Sequence, residues 1–264
     1  MQLNKPCEIE EWQTPEMLAT LRILEPDIFQ LYPGYPAGRE HRKSWEHHQI
    51  LAGCKQLGCV HPDASVLVVS GGRERVIFEL TNRARWVFAV DRFWNGPGQP
   101  GEMLLDPALC AAQTYNARRL VVQNMDPLVL RFEAESFDTV AAIGFSSHDA
   151  ESARLAVFEV SRVLKPGGIA VLVYDMVVNG GEGLSLPGLR LYDPGAITAL
   201  IADSGLELVE NIQAAVSPAT VATVRIYADV VQEVQRGYWH FPHILFEEQR
   251  RLFTSASVFL RKTR

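Results

Sequence analysis

Five short apolar runs, each about as long as a buried β-strand, lie between residues 65 and 175 and are separated by more polar segments. They have the sequences SVLVV, WVFAVD, LVVQNMD, FDTVAAIGF and GIAVLVYD. Uninterrupted apolar strands that alternate with helices are typical of a parallel sheet buried on both faces. Because crossovers between parallel strands are right-handed, the pattern predicts a doubly wound, Rossmann-like α/β domain.

Segments between these apolar runs have the periodicity of helices. The clearest example is ESARLAVFEVSRVLKPGG, whose apolar residues recur at helical spacing and whose end is marked by Pro166-Gly167-Gly168. Beyond the fifth run, GAITALIADSG predicts another helix and LELVENI another strand. The alternating SASVFLRK near the end predicts a final strand at an antiparallel edge. The predicted sheet is therefore seven-stranded and mainly parallel.

The chain before Ser65 has a different character. Its first 36 residues contain five prolines, which restrict helix formation and predict short helices and loops. Between Trp45 and Leu57 the apolar positions follow a helical stripe, and Gly58 is a suitable stop. The sequence therefore predicts a helical N-terminal extension over residues 1–62, followed by the α/β domain over residues 63–264.

Composition and charge exclude several classes of protein. A chain of 264 residues buries roughly 73% of its unfolded surface, so a stable core needs no cross-links. The net charge of −6 argues against a nucleic-acid partner. No apolar run reaches the roughly 18–20 residues of a membrane span, and the N-terminus has no segment of the signal-peptide type.

The four cysteines include no CxxC pair, and no common zinc spacing occurs among them. We expect free thiols in a reducing compartment and no metal site. The sequence is therefore interpreted as that of a cytoplasmic protein, either a monomer or a homodimer.

The residues that follow the first two apolar runs favour a nucleotide site. In a doubly wound sheet, ligands bind beyond the carboxyl ends of the strands. Ser70-Gly71-Gly72 follows the first run, and Asp91 ends the second, 19 residues after Gly72. Glycines let a ligand approach the backbone, and an acid about 20 residues further on can accept hydrogen bonds from a ribose. A tight turn and a solvated aspartate are the structural alternatives, and an NAD-dependent enzyme would also fit.

The stretch QNMDPLVLRFEAESFDTVAAIGF, followed by EVSRVLKPGGIAVLV, resembles class I S-adenosylmethionine (SAM)-dependent methyltransferases, in particular the small-molecule type 11. The resemblance covers about residues 63–212 and the final strand. It implies that Asp91 contacts the ribose of SAM and that Asp126 contacts the adenine amino group. Phe132 stands where the family has the phenylalanine of its LPF run.

The cofactor site that the resemblance implies gathers residues at the ends of the first four strands. The aromatic Phe93 beside the ribose acid either packs on the purine ring or belongs to the core. The full set of predicted SAM-binding residues is Ser70, Gly71, Gly72, Glu74, Asp91, Arg92, Phe93, Met125, Asp126 and Gly144.

The chain departs from the family in its first motif. Where the family has VLDVGCGTG, this chain has VLVVSGGRE, so Val68 replaces the acid that often supports the methionine end of SAM. Ser70 replaces the first glycine and Glu74 the last. Glu74 either accepts the α-ammonium of SAM or is simply a favourable acid in a first helical turn. Arg73 either reaches the SAM carboxylate or faces water.

Methyl transfer needs an aligned nucleophile, and an oxygen nucleophile also needs a general base. His148 is the candidate base, because it follows the fourth strand in a region that faces the transferred methyl group in the family. The alternative is that His148 lies in a loop beside a helix-capping Ser147 or Asp149.

Two further segments are candidates for the acceptor site. In the family, a segment before the core often covers SAM or substrate, and the stretch between the last two strands commonly builds the acceptor pocket. The basic cluster at residues 39–43 suits an anionic group or is a solvated face, and the aromatic insertion at about residues 213–253 suits a flat or sugar-like acceptor or packs in the core. The candidate acceptor residues are His41, Arg42, Trp45, Tyr238, Trp239 and His240.

The functional prediction is a SAM-dependent methyltransferase that acts on an oxygen or nitrogen atom of a small molecule or glycan, with the extension over residues 1–62 as a lid. The alternative is a non-catalytic, methyltransferase-like binding protein, which the altered glycine motif favours.

Overall fold

The computed structural model describes residues 1–93, 101–143, 150–238 and 241–263. Within these residues the strands are β1 (Lys5–Pro6), β2 (Ser65–Val69), β3 (Trp86–Asp91), β4 (Leu120–Asn124), β5 (Phe137–Ala142), β6 (Leu164–Val177), β7 (Leu184–Leu186), β8 (Leu189–Leu191), β9 (Leu206–Leu208), β10 (Arg225–Ile226), β11 (Phe246–Glu248) and β12 (Arg251–Lys262).

The helices of the same residues are α1 (Pro15–Leu24), α2 (Pro26–Leu31), α3 (Arg42–Leu57), α4 (Arg75–Arg83), α5 (Glu102–Leu105), α6 (Ala150–Val163), α7 (Pro194–Ile201), α8 (Pro218–Val221) and α9 (Tyr227–Gln235). Short 3₁₀ helices cover Ile9–Gln13, Pro107–Cys110 and Ala117–Arg119. Across this described part of the chain, no helix has the length and apolarity that crossing a membrane requires.

In the part of the chain that the structure describes, a central sheet of ten strands organises the fold. Its main path runs β10-β11-β12-β6-β5-β2-β3-β4, and β1 and β9 also pair with β12. The pairs β2–β3, β3–β4, β2–β5 and β5–β6 are parallel, whereas β12 runs antiparallel to β6. Successive strands are added on opposite sides of β2, so the strand order reverses between β2 and β5. The doubly wound α/β class is thereby confirmed.

The sheet is larger than predicted, and its antiparallel strand is not an edge. The seven predicted strands are present as β2, β3, β4, β5, β6, β9 and β12, and the additional strands are β1, β10 and β11. These pairings cover the side of β12 that faces away from β6. Because β1 comes from the other end of the chain, no local pattern in the sequence marks its partner.

Both faces of β2 are buried, which accounts for its uninterrupted apolar run. Leu67 and Val69 pack in a core beneath α6 and α7, while Val66 and Val68 pack in a second core beneath α3 and α4. Side chains alternate between the two faces of a strand, so burial on both sides removes the polar alternation. The carboxyl end of β2 is thus held rigidly between two helical layers.

The segment before β2 packs on the same sheet. β1 pairs with β12, with Lys5 opposite Ser257. Helix α3 lies over β12, where a Cβ added at Gly53 would come 2.2 Å from Cζ of Phe259. A separate apolar cluster joins this segment to the chain just before β11, and it contains Cys7, Trp12, Met17, Leu21, Tyr35, Trp45 and Ile244.

The contact between Gly53 and Phe259 predicts that Gly53→Ala destabilises the fold. Alanine favours a helix by about 1 kcal/mol over glycine, but overpacking a filled core costs about 1–3 kcal/mol. We expect a net loss of up to about 2 kcal/mol in the free energy of unfolding, measured by urea denaturation. Gly34→Ala is the control, because its added Cβ meets nothing within 4 Å. A fully stable Gly53→Ala variant would show that α3 tolerates a larger separation from β12.

Candidate functional site

The loop after β2 keeps the backbone path of a glycine-rich turn although its first glycine is replaced. Ser70 has φ = 53° and Gly72 has φ = 48°, both in the left-handed region that glycine enters most readily. The Ser70 N–H donates to the carbonyl of Val90 over 2.9 Å, which ties the loop to β3. A Cβ at Gly71 would come 2.7 Å from Cγ1 of Val68, so this position requires glycine for packing.

Asp91 ends β3 next to this loop. Its Oδ2 accepts the N–H of Gly72 over 2.8 Å, and its Oδ1 accepts the N–H of Arg92 over 2.6 Å. The side chain is half-buried. Each carboxylate oxygen has two lone pairs, so Asp91 retains acceptor capacity for two hydroxyl groups. The predicted ribose acid and the second motif glycine are therefore in direct contact.

The end of β4 brings a second carboxylate to the same edge of the sheet. Oδ1 of Asp126 accepts the N–H of Leu128 over 2.9 Å, and its Oδ2 pairs with the guanidinium of Arg92. The Leu128 N–H, and then Arg92, hold the pKa of Asp126 below its usual value against the effect of burial. The Met125 N–H donates to the Asp91 carbonyl over 2.9 Å, which joins the ends of the two strands.

Two predicted cofactor residues have buried side chains. Phe93 is 3% exposed and belongs to the core beneath α3 and α4, which favours the packing alternative for this aromatic ring. Met125 is 5% exposed, and its sulfur accepts the N–H of Arg131 over 3.2 Å. In the described structure these two residues therefore support the site through backbone and core packing.

Glu74 stands immediately before α4 and turns its carboxylate toward α3. Its Oε2 lies 2.7 Å from Nε2 of His47, and its Oε1 lies 3.5 Å from Nζ of Lys43. Lys43 also donates to Oε2 of Glu46 over 2.9 Å. Burial alone would raise the pKa of Glu74, but Lys43 and His47 outweigh it and lower the pKa to about 2. Glu74 is consequently ionised at neutral pH.

The basic cluster at residues 39–43 is largely neutralised within the molecule. Arg42 pairs with Asp175 on β6 and lies over the ring of Phe246, 5.0 Å from its centre. Lys43 is matched by the two glutamates described above. Arg39 lies 3.3 Å over the ring of Tyr32, and among the described residues no carboxylate lies within 4.0 Å of it. This cluster therefore does not present the strong positive surface that its sequence suggests.

His41 is packed at the start of α3. Its Nδ1 accepts the N–H of Lys43 over 3.1 Å, and its ring lies 5.2 Å from the ring of His243. Burial, and then the neighbouring His243 and Arg42, lower the pKa of His41 to about 3. His41 is therefore neutral at neutral pH and a weak base.

The remaining acceptor candidates that the structure describes differ in burial. Trp45 is fully buried, and its indole N–H donates to Glu11 over 2.9 Å. Trp45 is therefore a residue of the core. Tyr238 is exposed beyond the end of α9. His148, Gly144, Trp239 and His240 lie outside the described residues, so their predicted roles remain predictions.

Two of the motifs that carry the family resemblance, SFD and RVLKPGG, have structural roles. Asp138, at the start of β5, accepts two bonds of 2.9 Å from Nζ of Lys165 and one of 2.8 Å from the N–H of Ser65. Parallel strands begin at the edge opposite to the carboxyl ends, so this ion pair fastens the far side of the sheet. Arg162 donates to the carbonyls of Leu130 and Phe132, which fixes the segment that follows Asp126.

Lys43 and His47 are the site residues whose contacts were missed from the sequence. Both occur in α3 and meet Glu74, which lies 27 residues beyond His47 in the chain. Their four-residue spacing places them on one face of a helix. An acid in place of a motif glycine needs a cationic partner when it is partly buried. Together, these two facts could have predicted from the sequence that Glu74 contacts α3.

Comparison with known proteins identifies a methyltransferase domain in part of the chain. A family model described as a methyltransferase domain matches residues 103–172, a range that includes Asp126 and Lys165 but not the loop after β2. No curated protein matches the chain.

Solved structures share the fold. The [4+2]-cyclase SpnF matches with a TM-score of 0.55 at 14% identity, over 94% of this chain and 97% of its own. The YcgJ protein from Bacillus subtilis matches with a TM-score of 0.54 at 13% identity, over 83% of this chain and 99% of its own. A provisionally assigned sarcosine dimethylglycine methyltransferase from Galdieria sulphuraria gives 0.52 at 14% identity, over 84% and 85%.

The family match and the fold together confirm the resemblance to class I SAM-dependent methyltransferases. The sequence identities are low, so these structures establish the architecture that the chain shares. They leave the acceptor to be inferred from the chain itself.

The ion pairs of Glu74 predict a pH-dependent contribution to stability. The folded pKa of about 2 lies below the usual value of 4.5, so the ionised carboxylate stabilises the fold at neutral pH. This contribution is lost as the pH falls from about 4.5 toward 2. We expect Glu74→Gln to lower the free energy of unfolding by about 1–2 kcal/mol relative to wild type at pH 7. This difference should narrow below pH 4.5. Urea titrations at each pH measure it.

Glu102→Gln is the matched control for this series. Glu102 pairs with Arg73 over 3.1 Å, but both side chains are more than half exposed, so the pair contributes little. A difference between wild type and Glu74→Gln that stays constant from pH 7 to pH 3 would contradict the assigned pKa shift.

Proposed function

We propose that the protein is a SAM-dependent methyltransferase that transfers a methyl group to an oxygen or nitrogen atom of a small-molecule or glycan acceptor. The methyltransferase domain match and the fold support the class of enzyme. The observation that most supports SAM as the cofactor is the position of the Asp91 carboxylate. This carboxylate lies at the end of β3 and accepts the N–H of Gly72. This is the placement that a ribose-binding acid requires.

The residues at this edge fit the adenosine part of SAM. Asp91 has acceptor capacity left for the two ribose hydroxyls. Asp126 is 39% exposed and can accept from the adenine amino group. Its pairing with Arg92, whose side chain is 61% exposed, is weak enough to open when a ligand binds.

When bound, SAM supplies a sulfonium methyl group, which a nucleophile displaces in line while the carbon–sulfur electron pair goes to sulfur. The task of the chain is to align the nucleophile and exclude water. Helix α3 is joined to the loop after β2 through Glu74, which supports the role of residues 1–62 as a cover for the cofactor. His148 remains the predicted general base. The low pKa of His41 makes His41 a poor base.

We propose that the acceptor binds between α3 and the insertion at residues 213–253. The rings of Tyr227, Phe246 and Phe253 pack together here, with centres 5.3–5.9 Å apart, and Arg42 covers two of them. Phe246 and Phe253 are only 3% and 0% exposed, so they form the buried support of this site. Because Asp175 already neutralises Arg42, this pairing favours an uncharged acceptor, such as a flat or sugar-like one, over an anionic one. Tyr238, Trp239 and His240 are the predicted additions to this pocket.

A non-catalytic binding protein is the second candidate. Val68 stands in place of the acid of the first motif, and the carboxylate of Glu74 is bound to Lys43 and His47. SpnF is described as a [4+2]-cyclase, so this fold is not restricted to methyl transfer. SAM binding without turnover on any acceptor would favour this candidate.

The proposed function predicts that SAM binds and that Asp91→Ala weakens the binding about 10- to 100-fold, since hydrogen bonds to a charged group contribute about 1.5–3 kcal/mol. Isothermal titration calorimetry measures both affinities. Asp91→Asn keeps an acceptor for the Gly72 N–H and should retain an intermediate affinity. Asp63→Ala, an exposed acid before β2 at the opposite edge of the sheet, should bind SAM like wild type.

Two results would contradict this assignment. The absence of detectable heat with millimolar SAM would remove SAM as the cofactor. An unchanged affinity of Asp91→Ala, in a protein that does bind SAM, would show that the ribose lies elsewhere.

A further inference from the structure

We propose that Lys43 and Glu74 together form the subsite for the zwitterionic amino-acid tail of SAM, with Lys43 receiving the carboxylate and Glu74 the ammonium group. His47 is the positioning residue that holds Glu74. The inference rests on the proposed SAM-binding function and assigns to this chain a tail site built partly by the N-terminal helix α3.

The position of Glu74 supports this assignment. Glu74 lies two residues after Gly72. The N–H of Gly72 donates a hydrogen bond to Asp91, the predicted ribose acid. Two residues of chain span at most about 7 Å, which is comparable with the reach of the methionine part of SAM beyond its ribose. Val68, two residues before Ser70, is apolar and fully buried, whereas Glu74 brings a carboxylate to the other end of this loop.

The charges at this place match an α-amino acid. Nζ of Lys43 and Oε1 of Glu74 are 3.5 Å apart, a looser contact than the 2.9 Å bond between Lys43 and Glu46. The side chains of Lys43 and Glu74 are 37% and 26% exposed, so both remain accessible. A bound zwitterion would present an ammonium group to Glu74 and a carboxylate to Lys43. Each of these two side chains would therefore keep an opposite charge beside it.

His47 fixes the orientation of Glu74. Its Nε2 donates to Oε2 of Glu74 over 2.7 Å, and this side chain is only 4% exposed. Among the described residues its buried Nδ1 has no hydrogen-bond partner, so the bond to Glu74 is what aligns the ring. With Oε2 held in this way, Oε1 is left for Lys43 and for a ligand ammonium group.

The test compares two ligands that differ in the tail. SAM carries the amino-acid tail, whereas 5′-methylthioadenosine keeps the adenosine and the thioether but lacks it. Calorimetry of both ligands with wild type, Lys43→Met and Glu74→Gln separates the tail from the rest of the site. We expect each variant to lose about 10- to 100-fold in affinity for SAM and to bind methylthioadenosine within about twofold of wild type.

Conservative and control variants separate binding from folding. Lys43→Arg keeps the positive charge and should recover most of the SAM affinity. His47→Leu should lower the ratio of SAM to methylthioadenosine affinity, and His47→Gln, which keeps an N–H donor, should restore it. Lys55→Met removes an exposed lysine from the other end of α3 and should change neither affinity.

The inference is overturned if wild type binds SAM no more tightly than methylthioadenosine, or if Lys43→Met weakens both ligands equally, which is the pattern of a purely structural contact. If wild type binds neither ligand, the proposed function itself fails, and that outcome is distinct from a failure of the tail subsite alone.

Discussion

The ion pairs of Lys43 join helix α3 to the loop after β2, the hydrogen bond of Glu46 joins α3 to β12, and the proposed tail subsite depends on these contacts. Lys43 lies between Glu46 and Glu74, and Glu46, whose side chain is 3% exposed, also accepts the hydroxyl of Ser255 on β12 over 2.5 Å. Removing one partner from such a group leaves a charge that is costly to bury. The same contacts therefore stabilise α3 on the sheet and place cationic side chains beside the loop after β2.

This arrangement gives the altered glycine motif a physical meaning. The loop has left-handed backbone at Ser70 and Gly72, the conformation that glycine enters most readily. The replacement of the last glycine by Glu74 adds a carboxylate that the partners on α3 accommodate. The departures from the family motif are thus accompanied by specific contacts within this chain.

Local features of the chain were predictable, whereas long-range pairings were not. The apolar runs identified the parallel strands, because strand periodicity is local. The 19-residue spacing singled out Gly72 and Asp91 as parts of one nucleotide site, and the structure places these two residues in contact. The burial of Trp45, the neutralisation of Arg42 by Asp175 and the pairing of β1 with β12 depend on residues far apart in sequence. For the same reason the sequence could list the basic cluster at residues 39–43 but could not show that most of its charge is already matched.

A crystal structure of the protein with S-adenosylhomocysteine would test the central claim most directly, because this product keeps both the adenosine and the amino-acid tail. The account predicts ribose hydroxyls on Asp91, the adenine near Asp126, and the ammonium and carboxylate groups of the tail on Glu74 and Lys43, with α3 closed over the ligand. A ligand bound away from the loop after β2, or a tail directed away from α3, would contradict it.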